Sequence, residues 1–408
     1  MAEKLKGNLV VAQSGGPTAV INASLAGVVQ EGFRQAGAIT GVYGALHGIE
    51  GILNEELIDF AQEKPATVEL LRYTPSSALG SCRHKVTAQD YERILDVFKA
   101  HNIRYFLYIG GNDSMDTAHR VGQLAAEAGY EVRCMGVPKT IDNDLSYTDH
   151  CPGYGSVARW VASSVRDAGL DTEAIGVVDK VKVIELMGRN AGWITAAAAL
   201  ARDHEDAAPH LIYVPERPIS WDRVFNDVQQ VYDRLGYCLI AICEGARGPD
   251  GEVLSVSASA IDADAFGHKQ LGGVADVMCR QIAANLKLKA RFDKPGTIQR
   301  VSAALASPVD QEEAYLVGQV AVRHAVEGLS DKMVTLVRES DEPYRCTTGL
   351  ADLELVANAE KLMPDEFIAE SGNDVTAAFL EYARPLIGGP LPEYAYLRKV
   401  LLPKRTGK

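Results

Sequence analysis

The feature that most constrains the fold is a unit that recurs along the chain: an apolar run, a Gly-rich turn, then a helix. Residues 9–13, Leu-Val-Val-Ala-Gln, read as a short buried strand that runs into Ser14-Gly15-Gly16-Pro17 and a helix over about 20–35. Residues 104–109 read as a second strand, ending in Gly110-Gly111 and followed by a helix over 115–128. Residues 132–137 read as a third, ending in Pro138-Lys139-Thr140. Strands and helices alternating at this spacing predict a parallel sheet covered on both faces. Ligands gather at the carboxyl ends of the strands in such sheets, so the three turns are expected to line one cleft.

A second α/β set follows. Residues 174–178 and 181–186 read as strands, 192–201 as an Ala-rich helix, 211–214 as a strand, and 237–243 as a strand ending in Glu244-Gly245. A lobe boundary is placed in a helix over 153–166 and a return crossing near Gln299. This divides the chain into a donor-binding lobe (1–155), an acceptor-binding lobe (156–298), and a return segment with a C-terminal extension (299–408). After Gly349 the chain turns acidic and less patterned, and is read as an extension packed on the body. The 408 residues, 47% of them hydrophobic, suffice for two or three lobes. No solenoid-period repeat or low-complexity tract interrupts them.

Charge narrows the function. A net charge of −13 and a pI near 5.2 argue against nucleic acid or an anionic membrane as partner, since both call for a basic footprint. An acidic chain still binds phosphates where its cations converge in one cleft. The seven Cys are scattered without a C-x-x-C pair, which points to reduced thiols and a cytoplasmic protein. The reading finds no signal or transit peptide and no apolar stretch long enough to span a bilayer.

The turns carry the chemistry. In Ser14-Gly15-Gly16-Pro17-Thr18, glycines let backbone N–H groups approach an anion, and the following helix aims its positive end at the same place. An ordinary strand-to-helix turn uses the same residues, and no G-K-[ST] closes the run as in a P-loop. Gly110-Gly111-Asn112-Asp113-Ser114 sets polar side chains at a helix start, where Asp113 or Ser114 could act only as a cap. Pro138-Lys139-Thr140-Ile141-Asp142-Asn143-Asp144 places a cation and two carboxylates together. Phosphoryl transfer to an alcohol needs a base for the hydroxyl proton and cations for the developing phosphate charge. Asp142 suits the first task and Lys139 the second, although a solvated Asx-type turn explains the run as well. Met187-Gly188-Arg189 brings a cation after an apolar strand, and Glu244-Gly245 a carboxylate.

Taken as a set, G-G-x-D-S, P-K-T-I-D-N-D, M-G-R-x-A-G, E-G and I-Q-R occur in an order and spacing that resemble the phosphofructokinase family, over about residues 9–318. The resemblance implies an α/β fold of two Rossmann-like three-layer lobes with mostly parallel sheets. It implies Gly15 and Arg83 at the phosphate donor, Asp142 as base for the sugar 1-hydroxyl, and Thr140 and Asp144 beside it. It implies Lys139 and Arg189 in the transfer site, with Met187, Gly188 and Glu244 holding the sugar. Arg300, Arg291 and Lys180 match cations that bind the sugar 6-phosphate, two of them reaching across from a neighbouring subunit, so a homodimer or homotetramer is expected.

Donor choice rests on two positions. ATP-using relatives have Gly where this chain has Asp113, and a carboxylate there opposes an α-phosphate by bulk and charge. They also tend to have Gly where this chain has Lys139, whose ammonium can pair with the far end of pyrophosphate. The expectation is therefore transfer from pyrophosphate to fructose 6-phosphate with Mg²⁺. Asn112 stands where many relatives carry a metal-ligating Asp; its amide oxygen brings no charge, so the metal candidates are Asn112 and Asp113, with Asp142 or Asp144 as the alternative that carries more of the metal. Thr297, and Val301-Ser302-Ala303, also depart from the family pattern near the acceptor site. The alternatives are an ATP-dependent enzyme, a kinase of sedoheptulose 7-phosphate, and a non-catalytic subunit that binds sugar phosphates.

Overall fold

Two sheets, one of seven strands and one of four, set the architecture. The computed structural model describes residues 5–255, 261–263, 269–270 and 273–406. The chain begins β1 (Gly7–Gln13), α1 (Ile21–Arg34), β2 (Ile39–Ala45), α2 (Ile49–Leu53), β3 (Leu57–Asp59), α3 (Pro65–Leu71) and α4 (Ala88–Ala100). It continues β4 (Ile103–Gly110), α5 (Asn112–Glu127), β5 (Arg133–Pro138) and α6 (Tyr154–Ile175). The second set is β6 (Val181–Leu186), α7 (Trp193–Ala196), β7 (Leu211–Tyr213), α8 (Trp221–Leu235) and β8 (Cys238–Cys243), then a short pair β9 (Ile261–Ala263) and β10 (Lys269–Gln270), then α9 (Val274–Leu286) and β11 (Ala290–Asp293). The last elements are α10 (Ile298–Val301), α11 (Pro308–Val326), β12 (Lys332–Asp341), β13 (Tyr344–Asp352), α12 (Leu353–Ala357) and α13 (Ala377–Ala383).

The first sheet runs β13-β12-β5-β4-β1-β2-β3. Its interior pairs are parallel, and its edges, β3 on β2 and β13 on β12, are antiparallel. The central strands are apolar without alternation because both faces are covered. Leu9 and Val11 of β1, with Leu107 and Ile109 of β4, pack into the layer that holds α1 and α11. Val10, Ala12, Phe106 and Tyr108 face the opposite layer of α4 and α5. Helices α1 and α11 approach closely because Gly27 and Gly318 meet at the crossing. A Cβ on Gly27 would stand 2.2 Å from the Tyr315 carbonyl oxygen.

The second sheet runs β11-β6-β8-β7, all parallel. Ile184, Leu186, Leu239 and Ala241 face α6 and α7, while Val181, Val183, Ile240 and Ile242 face α8 and α9. All seven thiols are free. Among the described residues no helix is long and apolar enough to cross a membrane.

Several expectations about elements are corrected. The strand expected over 174–178 does not form: α6 continues to Ile175, a turn follows, and Val177 and Val178 are exposed. The helix keeps an apolar face through Val157, Val161, Val165, Gly169 and Thr172, and that periodicity outweighs two β-branched residues without a partner strand. The Ala-rich stretch is one turn of α-helix followed by a 3₁₀ segment, Ala197–Ala201. Gly349 lies inside β13, so the unpatterned C-terminal part begins within an edge strand of the first sheet. The helix after β4 starts at Asn112 rather than Met115, which puts Asn112 and Asp113 in its first turn, and Gly111 rather than a side chain occupies the cap position.

Candidate active site

The carboxyl ends of β1, β4, β5, β6 and β8 open into one cleft of about 960 Å³. On the first-sheet side, Gly15 has a φ of +75°, a conformation in which a side chain would be strained. A Cβ there would stand 3.1 Å from Lys139 Nζ, and one on Gly16 would stand 2.9 Å from Arg300 Nη1. The two glycines thus leave room for two cations to lie against the loop. Lys139 Nζ donates to the Gly16 carbonyl at 2.9 Å. Burial lowers the Lys139 ammonium to about 8; Arg300 acts in the same direction, and Asp142 and Asp144 oppose it.

Arg300, on α10, is also held below its ordinary value, first by burial and then by the neighbouring guanidinium of Arg83. Its Nε is buried and meets no acceptor among the described residues. Lys139, Arg300 and Arg83 on one wall are three like charges in a partly dry site. An anion would relieve their mutual repulsion, which makes this wall a candidate phosphate site.

The loop after β5 sets two carboxylates against that wall. Its conformation turns on Asn143, which is fully buried with a φ of +57°. Asn143 Nδ2 donates to Tyr382 Oη at 2.9 Å, and its Oδ1 accepts from the Cys151 amide at 2.9 Å. The Asp142 amide donates to Thr140 Oγ1 at 3.0 Å. With Asn143 anchored, Asp142 and Asp144 both line the cleft. Burial raises the Asp142 carboxyl to about 7, Asp144 and Glu244 add to the rise, and Arg189 and Lys139 oppose it. Asp144 is raised too, first by burial.

The second sheet supplies the facing wall. The Gly188 amide donates to Glu244 Oε1 at 3.3 Å, and burial raises the Glu244 carboxyl. The Met187 amide donates to Gln299 Oε1 at 3.1 Å, tying this loop to the segment that carries Arg300. Gly245 permits the packing of the two loops, since a Cβ on it would stand 1.9 Å from the Arg189 carbonyl oxygen.

Of the residues singled out in the sequence, Gly15, Arg83, Asn112, Asp113, Lys139, Thr140, Asp142, Asp144, Met187, Arg189, Glu244 and Arg300 line this cleft. Gly188 does not line it, although its neighbours Met187 and Arg189 do. Lys180 and Arg291 do not line it. Lys180 precedes β6, at the end of the strand away from Met187, with its ammonium 5.7 Å from the Tyr232 ring centre. Arg291 Nε lies 2.6 Å from Asp179 Oδ2. They therefore cannot serve this chain's own cleft as placed. The cleft also contains residues the sequence reading passed over. Lys294 pairs with the buried Glu185 at 2.7 Å, and a carboxylate inside the apolar run of β6 was the available signal. Asn190, Asn358 and Glu360 line it as well. The last two come from a stretch without periodicity, which gave no signal.

The residues fit a divalent cation. Asn112 Oδ1 is buried and accepts from no described residue, and it shares the cleft with Asp113, Asp142 and Asp144. Oxygen donors that are partly anionic and partly neutral suit a hydrated Mg²⁺.

Comparison with known proteins agrees with this geometry. The phosphofructokinase family model matches residues 8–325. The chain is 44% identical over 414 residues, 98% of each chain, to the pyrophosphate–fructose 6-phosphate 1-phosphotransferase of Xanthomonas campestris pv. campestris. It is 45% identical over 408 residues, 96% of each chain, to the enzyme of the same name from Halomonas elongata. The crystal structure of a pyrophosphate-dependent phosphofructokinase from Nitrosospira multiformis superposes with a TM-score of 0.87 at 42% identity, covering 98% of both chains.

Proposed function

Because the chain belongs to the phosphofructokinase family, we propose that it transfers a phosphoryl group reversibly from pyrophosphate to the 1-hydroxyl of fructose 6-phosphate. The products are fructose 1,6-bisphosphate and phosphate. The observation that carries the reading is the meeting, across one cleft, of a carboxylate raised to about 7 at Asp142 and a cationic wall at Lys139, Arg83 and Arg300.

Asp142 takes the proton of the 1-hydroxyl as the oxygen attacks the near phosphorus. The bond from that phosphorus to the bridging oxygen breaks, and the bridging electron pair leaves with phosphate. A base with a value near working pH is matched to that task. Lys139 and the two arginines neutralise charge on the departing phosphate, and Arg189 faces the group in transit. Glu244 suits a sugar hydroxyl. Mg²⁺, held by Asn112 and Asp113 with Asp142 and Asp144 close by, would supply charge neutralisation to the pyrophosphate oxygens when bound.

Donor preference follows from Asp113. It lines the cleft in the first turn of α5, where its negative charge opposes a further phosphate such as the α-phosphate of ATP. The net charge of −13 argues against nucleic acid as partner. The family resemblance and the scattered free thiols favour the cytoplasm.

The test is product formation. With Mg²⁺, fructose 6-phosphate and pyrophosphate, ³¹P NMR should show the 1-phosphate signal of the bisphosphate growing. Asp142→Asn should slow that growth by about 10²-fold or more while leaving sugar-phosphate binding nearly intact. Near-normal turnover in Asp142→Asn would remove Asp142 from the role of base. A sedoheptulose 7-phosphate arm separates the two acceptors, and binding without turnover would identify a regulatory subunit.

A further inference from the structure

The chain beyond residue 325 lies outside the stretch that the family model matches, yet part of it reaches the cleft. Helix α12 packs on α5, with Leu353 and Val356 fully buried in the core that holds Met115 and Ala118. This fixes the start of the segment that follows. Glu360 then forms an antiparallel bridge with Leu145, and the Lys361 amide donates to the Asp144 carbonyl at 2.7 Å. Lys361 Nζ donates to the Thr148 and Asp149 carbonyls at 3.1 and 2.8 Å. These contacts bind the segment to the loop that carries Asp142 and Asp144.

The same two residues also hold the opposite wall. Glu360 Oε1 accepts from Asn190 Nδ2 at 2.9 Å. Trp193 Nε1 donates to the Lys361 carbonyl at 3.1 Å, and the Lys361 ammonium lies 5.2 Å from the Trp193 ring centre. Asn190 is the residue after Arg189, and Trp193 begins α7 three residues on.

We propose that Glu360 and Lys361 are positioning residues: a clasp that fixes the carboxylate loop and the Arg189 loop at the spacing phosphoryl transfer requires. Neither needs to touch substrate. Each connects a loop of the first sheet to a loop of the second, and Tyr382, which accepts from Asn143 and packs on Trp193, spans the same gap. In-line transfer is sensitive to such spacing, since a displacement of about 1 Å can cost 10²-fold in rate. The role assigned to the two loops rests on the function proposed above; the clasp itself rests on the contacts.

Two variants separate positioning from packing. Glu360 is exposed, so Glu360→Ala does not endanger folding. It should lower kcat about 10-fold with KM for both substrates nearly unchanged. Glu360→Gln, whose amide oxygen still accepts from Asn190, should restore most of the loss. Lys361→Met keeps the stem against Trp193 and removes the ammonium, and should lower kcat by about 10²-fold per folded molecule, with partial rescue in Lys361→Arg. Hydrogen exchange over residues 187–193 should quicken in Glu360→Ala and Lys361→Met. Wild-type kcat in both, or losses that track only the folded fraction, would overturn the clasp. Failure of the unmodified enzyme to turn over pyrophosphate would instead overturn the proposed function. In that event the exchange measurement still decides the clasp, and unchanged exchange in both variants rejects it.

Discussion

At the scale of residues, the site works by pushing two ionisable groups toward each other's range. Burial raises Asp142 to about 7 and lowers Lys139 to about 8. In their proposed roles Asp142 must be deprotonated and Lys139 protonated, so kcat/KM should rise as pH passes about 7 and fall as it passes about 8. Replacing Lys139 with Arg, which stays charged throughout, should abolish the alkaline fall at whatever rate remains. A profile whose alkaline limb persists in Lys139→Arg would assign that limb to another group. These residues were legible in the sequence because Gly turns, a Lys and paired carboxylates at strand ends have few structural uses together. Glu360 and Lys361 were not, because an isolated carboxylate and ammonium in an unpatterned stretch look like solvated surface. Lys180 and Arg291 were legible as cations, but their position relative to the cleft depends on the strand end they occupy.

At the scale of elements, β1, β4 and β5 read correctly because strands buried on both faces are apolar without interruption, and each ends on a turn. The expected strand at 174–178 failed because two valines at a helix end have no edge to join. The end of the chain hid its order for a different reason: after β13 its helices are too short to show apolar periodicity, and polar contacts help to tie it in. The clearest of these ties joins the β12–β13 hairpin to α11. His150, buried, has Nδ1 2.7 Å from Asp149 Oδ2 and Nε2 2.7 Å from Glu313 Oε2, and Tyr344 Oη donates to Glu313 Oε1 at 2.6 Å. With both carboxylates ionised, both ring nitrogens donate and the ring is an imidazolium. Burial opposes the charge, but the two carboxylates outweigh it and raise His150 above its ordinary 6.5. The stabilisation is thus fully present below about 6.5 and is lost as pH rises through the raised folded value. His150→Ala should destabilise the protein by about 3–5 kcal/mol at pH 6, read by denaturant unfolding, because two carboxylates lose their shared partner. That penalty should shrink as pH rises. A penalty independent of pH would mean the ring is neutral in the folded protein.

At the scale of the whole molecule, the cleft draws on both sheets and on the C-terminal segment, but not on Lys180 or Arg291. We infer that these two complete the 6-phosphate site of a neighbouring subunit, which makes the active form a homodimer or homotetramer. Subunits carrying Arg291→Ala and subunits carrying Asp142→Asn should each be impaired alone. Unfolded and refolded together, they should regain activity, because a mixed pair holds one site with both residues intact. No recovery on mixing, or a fully active monomer by sedimentation, would return Arg291 to the ordinary surface. The account as a whole stands on pyrophosphate as the phosphoryl donor, and that is tested most directly by kcat/KM for pyrophosphate and for ATP, with fructose 6-phosphate and Mg²⁺ held constant. The unmodified enzyme should use pyrophosphate and scarcely use ATP. Asp113→Gly should shift the ratio toward ATP, and Lys139→Gly should weaken pyrophosphate use by about 2–5 kcal/mol, the cost of leaving one side of a buried charge contact unpaired. A wild-type preference for ATP, or a donor ratio unmoved by Asp113→Gly, would contradict it.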